Sequence, residues 1–240
     1  MTWQLEPLGF IHTPFTEKFG IPRQGIALHD VPGKIILCEP YDDLNAFRGI
    51  EAHSHLWLSF LFHANAQATK RFHPTVRPPR LGGNEKCGVF ATRSSFRPNN
   101  LGMSVVRRGP LTRHNGQTIL TVYGVDMLNQ TPIVDIKPYL PYADNIQAHT
   151  SLAPEAPRAE LQVKYVTHVQ QQLTLLVKAY PDLIKVLEMV LSHDPRPAFH
   201  SDAQYILAHP NKTYHVALYD LDIHFSVNQD TALVLDIKSQ

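Results

Sequence analysis

A block of basic residues lies in the first half of the chain, where ten Lys and Arg residues but only one acidic residue, Glu85, lie between Lys70 and Arg113. The rest of the chain holds 12 basic and 20 acidic residues, so a near-neutral total conceals a basic block on an acidic body. Within residues 77–102, arginines alternate with glycine, proline and asparagine. A guanidinium binds two phosphate oxygens in a bidentate fork, so arginines on turn-forming backbone suit a polyanion. A solvated basic surface without a ligand has the same pattern.

Two other kinds of chemistry have weaker support. His53 and His55 share one face if that stretch is extended, but the sequence has no third ligand at a familiar spacing and no Cys-x-x-Cys, so we expect no metal site. Ser94 and Ser95 are candidate nucleophiles of a hydrolase. Neither lies in a G-x-S-x-G motif, and a Ser-Ser pair between arginines suits phosphate equally well.

The familiar nucleotide-binding motifs are missing. The chain contains neither G-x-G-x-x-G nor G-x-x-x-x-G-K-[ST], which disfavours ordinary Rossmann or Walker binding. Asp135 and Lys137 are two residues apart in a candidate strand, so their side chains share a face. They form either a simple ion pair or the rim of a site, and spacing does not choose between the two.

Composition predicts a soluble, cytoplasmic protein. Of the 240 residues, 43% are hydrophobic and 18% charged, which is ordinary for a protein with a substantial core. No window approaches about 18 uninterrupted apolar residues, and the N-terminus lacks the basic and apolar regions of a secretory signal. Two cysteines, Cys38 and Cys87, fit a reducing compartment.

The elements that would position these residues are mainly strands in the first half. Apolar or β-branched runs predict strands at 8–12, 34–38, 56–63, 103–111 and 118–125. Asn115-Gly116 between the last two runs is a strong hairpin signal. Strands and helices do not alternate regularly, so we predict a β-barrel or strongly bent sheet rather than a doubly wound parallel sheet.

The second half of the chain has a different sequence pattern. Residues 141–158 are rich in Pro, Ala, Asn and Ser and indicate a boundary, which predicts one domain over 1–145 and another over 155–240. The second domain has a strand candidate at 161–167, helix candidates at 169–179 and 182–192, and alternating strands at 214–227 and 231–237. We therefore predict a small C-terminal α+β domain.

Six motifs together resemble the TsaA-like, or TrmO, family, and they span nearly the full length. They are GIPRQ (20–24), RGIEAHSHLW (48–57), RPPRLGGN (77–84), GVFATRSSFRPNNLG (88–102), DIKPY (135–139) and DPRPAF (194–199). The resemblance implies a non-Rossmann β-barrel methyltransferase that uses S-adenosylmethionine and works as a homodimer, with its cofactor pocket near the subunit interface. The implied reaction methylates N6 of the threonylcarbamoyl-adenosine beside the tRNA anticodon.

The same resemblance implies residues that bind the cofactor. These are Pro22, Arg23 and Gln24 in GIPRQ, His63 and Ala64 after the 56–63 strand, Arg93 and Met103 around the central motif, and Met127, Leu128, Asn129 and Gln130 before DIKPY. Relatives often have Asp-Gly where this chain has Asn129-Gln130, and a lost glycine restricts the backbone angles of such a loop. Asn100 and Ser95 stand where the family commonly has proline.

The chemistry of the implied reaction suggests further roles. The acceptor nitrogen belongs to a urea-like group and is a poor nucleophile, so a carboxylate base would help, and Asp135 and Asp126 are the candidates. Arg77, Arg80 and Arg97 are candidates for contacts with tRNA phosphates. Two other classes of function stay open at this point. One is a non-catalytic RNA-binding protein with the same basic surface, and the other is a hydrolase that uses Ser94 or Ser95.

Overall fold

A computed structural model describes residues 4–22, 24–65, 72–78, 86–150, 161–197, 200, 203–209 and 212–240. These residues form two compact units, each built from separate stretches of chain. The first unit takes its residues from 1–12, 33–123 and 130–155, and the second from 13–32, 124–129 and 156–240. The predicted boundary between residues 145 and 155 stays a prediction.

The first unit is a closed β-barrel. Its strands in chain order are β1 (Gly9–His12), β2 (Pro32–Leu37), β3 (His55–Leu61), β4 (Thr75–Val76), β5 (Cys87–Gly88), β6 (Leu101–His114), β7 (Gln117–Tyr123) and β8 (Thr131–Pro138). Six of them close the barrel in the order β1-β2-β7-β6-β3-β8, while β4 and β5 pair separately. A short helix, α1 (Pro141–Asp144), follows β8. The prediction of a mainly-β barrel is confirmed.

Alternation of apolar and polar residues explains why these segments close into a barrel. In β3, Leu56, Leu58 and Phe60 are buried while the residues between them are partly exposed, as expected when one face of a strand packs on a core. The predicted hairpin is confirmed, because Asn115 and Gly116 join β6 to β7 with φ of 50° and 80°. A two-residue turn with positive φ at both positions matches the twist of paired strands.

The second unit combines a sheet with helices. Its elements are β9 (Gln162–Tyr165), α2 (Thr167–Leu176), α3 (Leu183–Ser192), α4 (Ala203–Ala208), β10 (Thr213–Leu218), β11 (Leu221–Asn228) and β12 (Thr231–Ser239). The sheet order is β10-β11-β12-β9, with β9 parallel to β12. Helix α3 buries an apolar stripe of Leu183, Val186, Leu187 and Val190. The small α+β domain is confirmed.

Two predictions for this unit need correction. The alternating run 214–227, predicted as one strand, is two antiparallel strands, β10 and β11, joined at Tyr219 and Asp220. Tyr219 takes a φ of 59° and its ring stacks on Tyr180, whose hydroxyl donates to Asp220. The turn contains Asp220 but no Gly, Pro or Asn, so the local signal is weak, and the turn is held by contacts distant in sequence. Helix α4 was not predicted.

Among the described residues, every helix is too short or too polar to cross a bilayer.

Candidate functional site

Four neighbouring strands of the barrel meet at one end. Strands β1 and β3 end there, and strands β6 and β8 begin there, because Ile11 pairs with Thr131 and Leu61 pairs with Leu101. Strand β8 lies between β1 and β3 in the barrel. Loops that leave this end therefore start close together, although they are far apart in sequence.

His63 and Ala64 lie in a short 3-10 turn, His63–Asn65, just after β3. The His63 Nδ1 lies 3.4 Å from the Thr131 Oγ1 at the start of β8. Asn65 is buried and its side-chain amide donates to the Ser95 carbonyl at 3.0 Å. These contacts tie the turn both to β8 and to the loop that carries Arg93, whose side chain is exposed.

Gln130 occupies the same barrel end with an unusual backbone. Its φ is 64°, in the left-handed region that glycine favours, and its amide donates to the Ile11 carbonyl at 2.9 Å. The Gln130 side-chain nitrogen lies 3.1 Å from a ring nitrogen of His12. The left-handed conformation is thus adopted by glutamine itself, at a cost on the order of 1 kcal/mol.

In the second unit, residues 127–129 are held by the chain that follows β1. The Thr13 amide donates to the Asn129 Oδ1 at 3.1 Å, and its hydroxyl donates to the Met127 carbonyl at 2.9 Å. The Asn129 amide donates to the Phe15 carbonyl at 2.7 Å. Met127 is 2% exposed, so its side chain belongs to the core and only its backbone is available to a ligand. Leu128 is half-buried.

The GIPRQ motif lies against the same segment of the second unit. The amide of Gly25, the residue after the motif, donates to the Asp126 Oδ2 at 3.1 Å. A Cβ on Gly25 would lie 1.9 Å from the Gly124 carbonyl oxygen, so only glycine fits. Pro22 and Gln24 are half-buried, whereas Arg23 lies outside the described residues. Asp126 therefore positions the chain next to this motif.

Asp135 lies on the outer surface of the barrel. The pairing of β3 with β8 shifts between Ser59 and Phe60, a bulge that turns Ile136 inward and leaves Asp135 exposed. Ser59 pairs with Asp135 on one side and with Met103 on the other. Side chains of paired residues lie on the same face, so the candidate base and a candidate cofactor residue flank Ser59. The exposed fraction of Met103 is 61%.

The basic block divides into structural and exposed arginines. The Arg97 Nη1 donates to the Thr92 carbonyl at 2.9 Å, which fastens the turn before β6. The Arg108 Nε donates to the His53 carbonyl at 2.9 Å and its Nη1 to the Gly109 carbonyl at 3.0 Å. Arg77 is exposed, and Arg80 lies outside the described residues. Part of the predicted polyanion surface is therefore engaged in holding backbone.

The structure also reveals a cluster that the sequence analysis missed. His215, Asp222 and His224 each place a potential ligand atom within 4.8 Å of the others. His215 pairs with His224 across β10 and β11, and the Asp222 Oδ2 lies 2.9 Å from the His224 Nε2. The Asp222-x-His224 spacing was visible in the sequence, but β10 and β11 were predicted as a single strand. The same contacts also fit two histidines that share one carboxylate as a hydrogen-bond partner, without a metal ion.

The chemistry of the candidate cofactor residues fits an adenosyl group. Its amino and hydroxyl groups are hydrogen-bond donors, and carboxylate and peptide carbonyl oxygens accept from them. Within the second unit, the Asp126 carboxylate and the backbone carbonyls of 127–129 are acceptors of this kind. No metal is needed to bind such a group.

Comparison with known proteins gives consistent matches. Residues 10–145 match the family model described as the tRNA-methyltransferase O N-terminal domain, and residues 158–240 match the TrmO C-terminal domain. The chain is 44% identical to the tRNA (adenine(37)-N6)-methyltransferase of Escherichia coli (strain K12), over 94% of each chain. It is 38% identical to a putative S-adenosylmethionine-dependent methyltransferase of Pseudomonas aeruginosa, over 99% of this chain and 98% of that one.

Solved structures agree with these matches. A crystal structure of TrmO from Pseudomonas aeruginosa superposes with a TM-score of 0.79 and 34% identity, over 100% of this chain and 99% of that one. Another crystal structure of TrmO superposes with a TM-score of 0.78 and 34% identity, over 100% of both chains.

Proposed function

The chain belongs to the tRNA-methyltransferase O family, and on that premise we propose that it transfers a methyl group from S-adenosylmethionine to N6 of a threonylcarbamoylated adenine 37 in tRNA. The observation that carries this proposal is the match of both family domains to a chain whose first unit is a closed β-barrel. The predictions of the family, of an enzyme and of S-adenosylmethionine as cofactor are confirmed. The alternatives of a non-catalytic RNA-binding protein and of a hydrolase are not retained.

The contacts of Ser94 also weigh against a hydrolase. Its hydroxyl oxygen accepts from the Phe96 amide at 3.2 Å, and its own amide donates to the Thr92 Oγ1 at 3.4 Å. Both are local contacts of a turn, typical of serine in loops. They order the loop before β6 and do not supply the base that a nucleophilic serine requires.

The threonylcarbamoyl group is the finer part of the proposal. It adds a carboxylate to the adenine, and an exposed arginine suits that anion, with Arg77 and Arg93 as the candidates. The test is methyl transfer from labelled S-adenosylmethionine to two tRNAs, one with threonylcarbamoyl-adenosine at position 37 and one with plain adenine. We expect transfer only to the first, and mass spectrometry locates the methyl group. Equal transfer to both tRNAs would refute this specificity.

The contribution of this chain to the chemical step would be a carboxylate that acts as a base. When bound, S-adenosylmethionine would supply a methyl group on a sulfonium; the acceptor nitrogen would attack the methyl carbon in line while the C–S bond breaks and the thioether leaves. We assign the role of base to Asp135, which would accept the proton from that nitrogen and contribute about 10²–10⁴ in rate; its exposure and its pairing with Ser59 support this assignment. Asp126 is the weaker candidate because its Oδ2 already accepts from the Gly25 amide.

Paired amide substitutions separate the two aspartates. Asp135→Asn should lower kcat by about 10²–10⁴ and leave both the free energy of unfolding and the KM for the cofactor little changed. Asp126→Asn should weaken cofactor binding and lower stability together, because it alters the partner of the Gly25 amide. Lys137→Gln, on the same face as Asp135, is the control and should retain turnover. An Asp135→Asn enzyme with wild-type kcat would exclude this residue as the base.

Exposed apolar side chains support the proposed homodimer. Five of those in the first unit fall within residues 72–103, and their exposed fractions range from 38% for Leu101 to 73% for Phe90: Phe72, Phe90, Phe96, Leu101 and Met103. Phe72 and Phe90 stack with ring centres 6.2 Å apart, and a contiguous exposed apolar patch is typical of an interaction site. Phe90→Glu should shift the protein toward monomer in sedimentation analysis, whereas Ile146→Glu, at an equally exposed position, should not. A monomeric wild type at micromolar concentration would refute the dimer.

The proposed phosphate contacts are tested by salt dependence. Arg77→Glu should weaken tRNA binding and lower the slope of log K against log salt by about 0.7–0.9, the value for one phosphate contact. Arg97→Glu should in addition lower stability, because Arg97 holds the Thr92 carbonyl. Identical slopes for wild type and Arg77→Glu would remove Arg77 from the interface. The cytoplasmic location stays a prediction.

A further inference from the structure

A cavity of about 230 Å³ lies in the second unit, and its described lining includes none of the residues predicted to contact the cofactor. The loop after α3, helix α4 and strands β10 and β11 enclose it. The side chains that define its chemistry are Arg196, His200, Tyr205, His209, Lys212 and Tyr214. We refer to it as the Arg196–Lys212 pocket. Two of these residues are cations, two are histidines and two are tyrosines.

Arg196 is fixed in place at one side of the pocket. Its side chain is 5% exposed, and both its Nε and its Nη2 lie 2.7 Å from the carboxylate oxygens of Asp194. This bidentate pair also raises the pKa of the guanidinium. The guanidinium carbon lies 5.8 Å from the centre of the Tyr214 ring. The Asp194 carboxylate compensates the charge of Arg196, and the fixed guanidinium presents its remaining N–H donors in one geometry, which lowers the entropic cost of binding a ligand.

Lys212 supplies the positive charge of the pocket. Its Nζ donates to the Tyr205 hydroxyl and lies 5.0 Å from the Tyr205 ring centre and 5.6 Å from the Tyr214 ring centre. The described residues that line the pocket include no carboxylate, and Asp194 beside it is paired with Arg196. The charge of Lys212 is therefore not neutralised within the lining.

Flat rings form the remaining wall. His200 stacks on Tyr205 with ring centres 4.2 Å apart and an angle of 14°, and Tyr205 stacks on His209 at 4.3 Å and 21°. Tyr205 thus lies between two imidazoles, in a row of nearly parallel rings. Aromatic faces next to cations are the combination that binds single-stranded nucleotides, whose bases stack while their phosphates pair with positive charge.

His200 lies in the same positive environment. The pKa of His200 is lowered by burial first, and then by Lys212, Arg196 and His209, against a smaller opposing effect of Asp194. Cations that disfavour protonation of an imidazole favour an anion at the same place. The geometry and the positive charge of the pocket therefore both favour an anionic ligand with a flat ring.

We propose that the Arg196–Lys212 pocket binds one unpaired nucleotide of the tRNA substrate, with the phosphate at Lys212 and at the N–H groups of Arg196 that do not bind Asp194, and with the base on the outer face of the exposed His209 ring. This inference rests on the proposed function, because it takes tRNA as the ligand. It assigns the second unit a direct role in substrate binding that does not involve the cofactor. It also gives a role to Arg196 of the DPRPAF motif.

The test compares Lys212→Met with Lys178→Met, which removes one exposed lysine elsewhere in the same unit. Dissociation constants for tRNA are measured at several salt concentrations, together with the cofactor dissociation constant. Lys212→Met removes a hydrogen bond to a charged phosphate and should weaken tRNA binding about 12- to 150-fold, lower the salt slope by about 0.7 and leave cofactor affinity unchanged. Lys212→Arg should restore the slope, and Lys178→Met should behave as wild type.

A measurement on the wild-type protein removes any dependence on folding of the variants. Acetylation of the Lys212 amine, followed by mass spectrometry, should slow when tRNA is added, whereas acetylation of Lys178 should not. The proposal is overturned if tRNA leaves Lys212 acetylation unchanged, or if Lys212→Met keeps the wild-type affinity and salt slope. Protection of Lys212 by free nucleotide but not by tRNA would likewise refute it. The proposed function would fail by a different result, namely that the wild-type protein transfers no methyl group to any tRNA.

Discussion

Gly25→Ala is the change that probes most directly how the GIPRQ motif is held. A Cβ at this position would lie 1.9 Å from the Gly124 carbonyl oxygen, and contacts under 3.0 Å are essentially never seen, so the two segments must separate by about 1 Å or more. That shift breaks the 3.1 Å hydrogen bond from the Gly25 amide to the Asp126 carboxylate. A hydrogen bond to a charged group contributes about 1.5–3 kcal/mol, and we expect the free energy of unfolding to fall by that amount.

Urea denaturation and titration with S-adenosylmethionine measure the two consequences. If residues 22–24 bind the cofactor, their displacement should weaken its affinity by about tenfold or more, which corresponds to about 1.4 kcal/mol. Gly88→Ala is the matched control, because Gly88 has a φ of −59° and open space where its Cβ would lie. It should be neutral or stabilising by about 0.4–1 kcal/mol. A Gly25→Ala protein as stable as the Gly88→Ala control would refute the steric argument. Lower stability with unchanged cofactor affinity would refute the assignment of the motif.

Three further predictions follow from other parts of the molecule. Gln130→Gly should raise the free energy of unfolding by about 1 kcal/mol, because glycine adopts a φ of 64° without strain. The control Gln170→Gly, within helix α2, should lower the free energy of unfolding by about 1 kcal/mol. The midpoints of urea denaturation measure both changes. The pKa of His200 is lowered in the folded state, so its contribution to stability is present above the unfolded pKa of about 6.5 and is lost as pH falls through the folded pKa. His200→Phe should therefore flatten the dependence of Tm on pH in this window. A variant with the same pH profile as the wild type would contradict the lowered pKa. Leu58→Ala should cost about 2–5 kcal/mol, because Leu58 is fully buried in the barrel, and a loss below 1 kcal/mol would show that this core can collapse around the cavity.

Local patterns were sufficient for most elements of the barrel. Alternation in 56–63 and the Asn115-Gly116 turn predicted β3 and the β6–β7 hairpin, because both signals depend on neighbouring residues. The break within 214–227 depends instead on contacts with Tyr180, about 40 residues earlier, and its one local signal, Asp220, is weak. The second unit also takes in residues 13–32 and 124–129, which are assigned to it by packing rather than by sequence position.

The candidate site shows the same division between composition and geometry. The sequence indicated Arg97 as a phosphate contact, but it gave no sign that the guanidinium donates to the Thr92 carbonyl. It indicated Asp126 and Asp135 as equivalent bases, and the structure separates them. Asp126 holds the Gly25 amide, while a bulge in β8 turns Asp135 outward. Hydrogen-bond partners and the face of a strand after a bulge depend on pairing between distant segments.

The sequence by itself determined the family, the mainly-β first half, the α+β second half and the residues that carry charge, because motifs, alternation and residue type are local properties of the chain. Only the tertiary structure decided which arginines hold backbone and which are exposed, and which aspartate is occupied. Only the tertiary structure also gathered Arg196, Lys212 and Tyr205 around one pocket. The physical reason is that each of these outcomes depends on distances between segments far apart in sequence, which are fixed when the strands pair and the core packs.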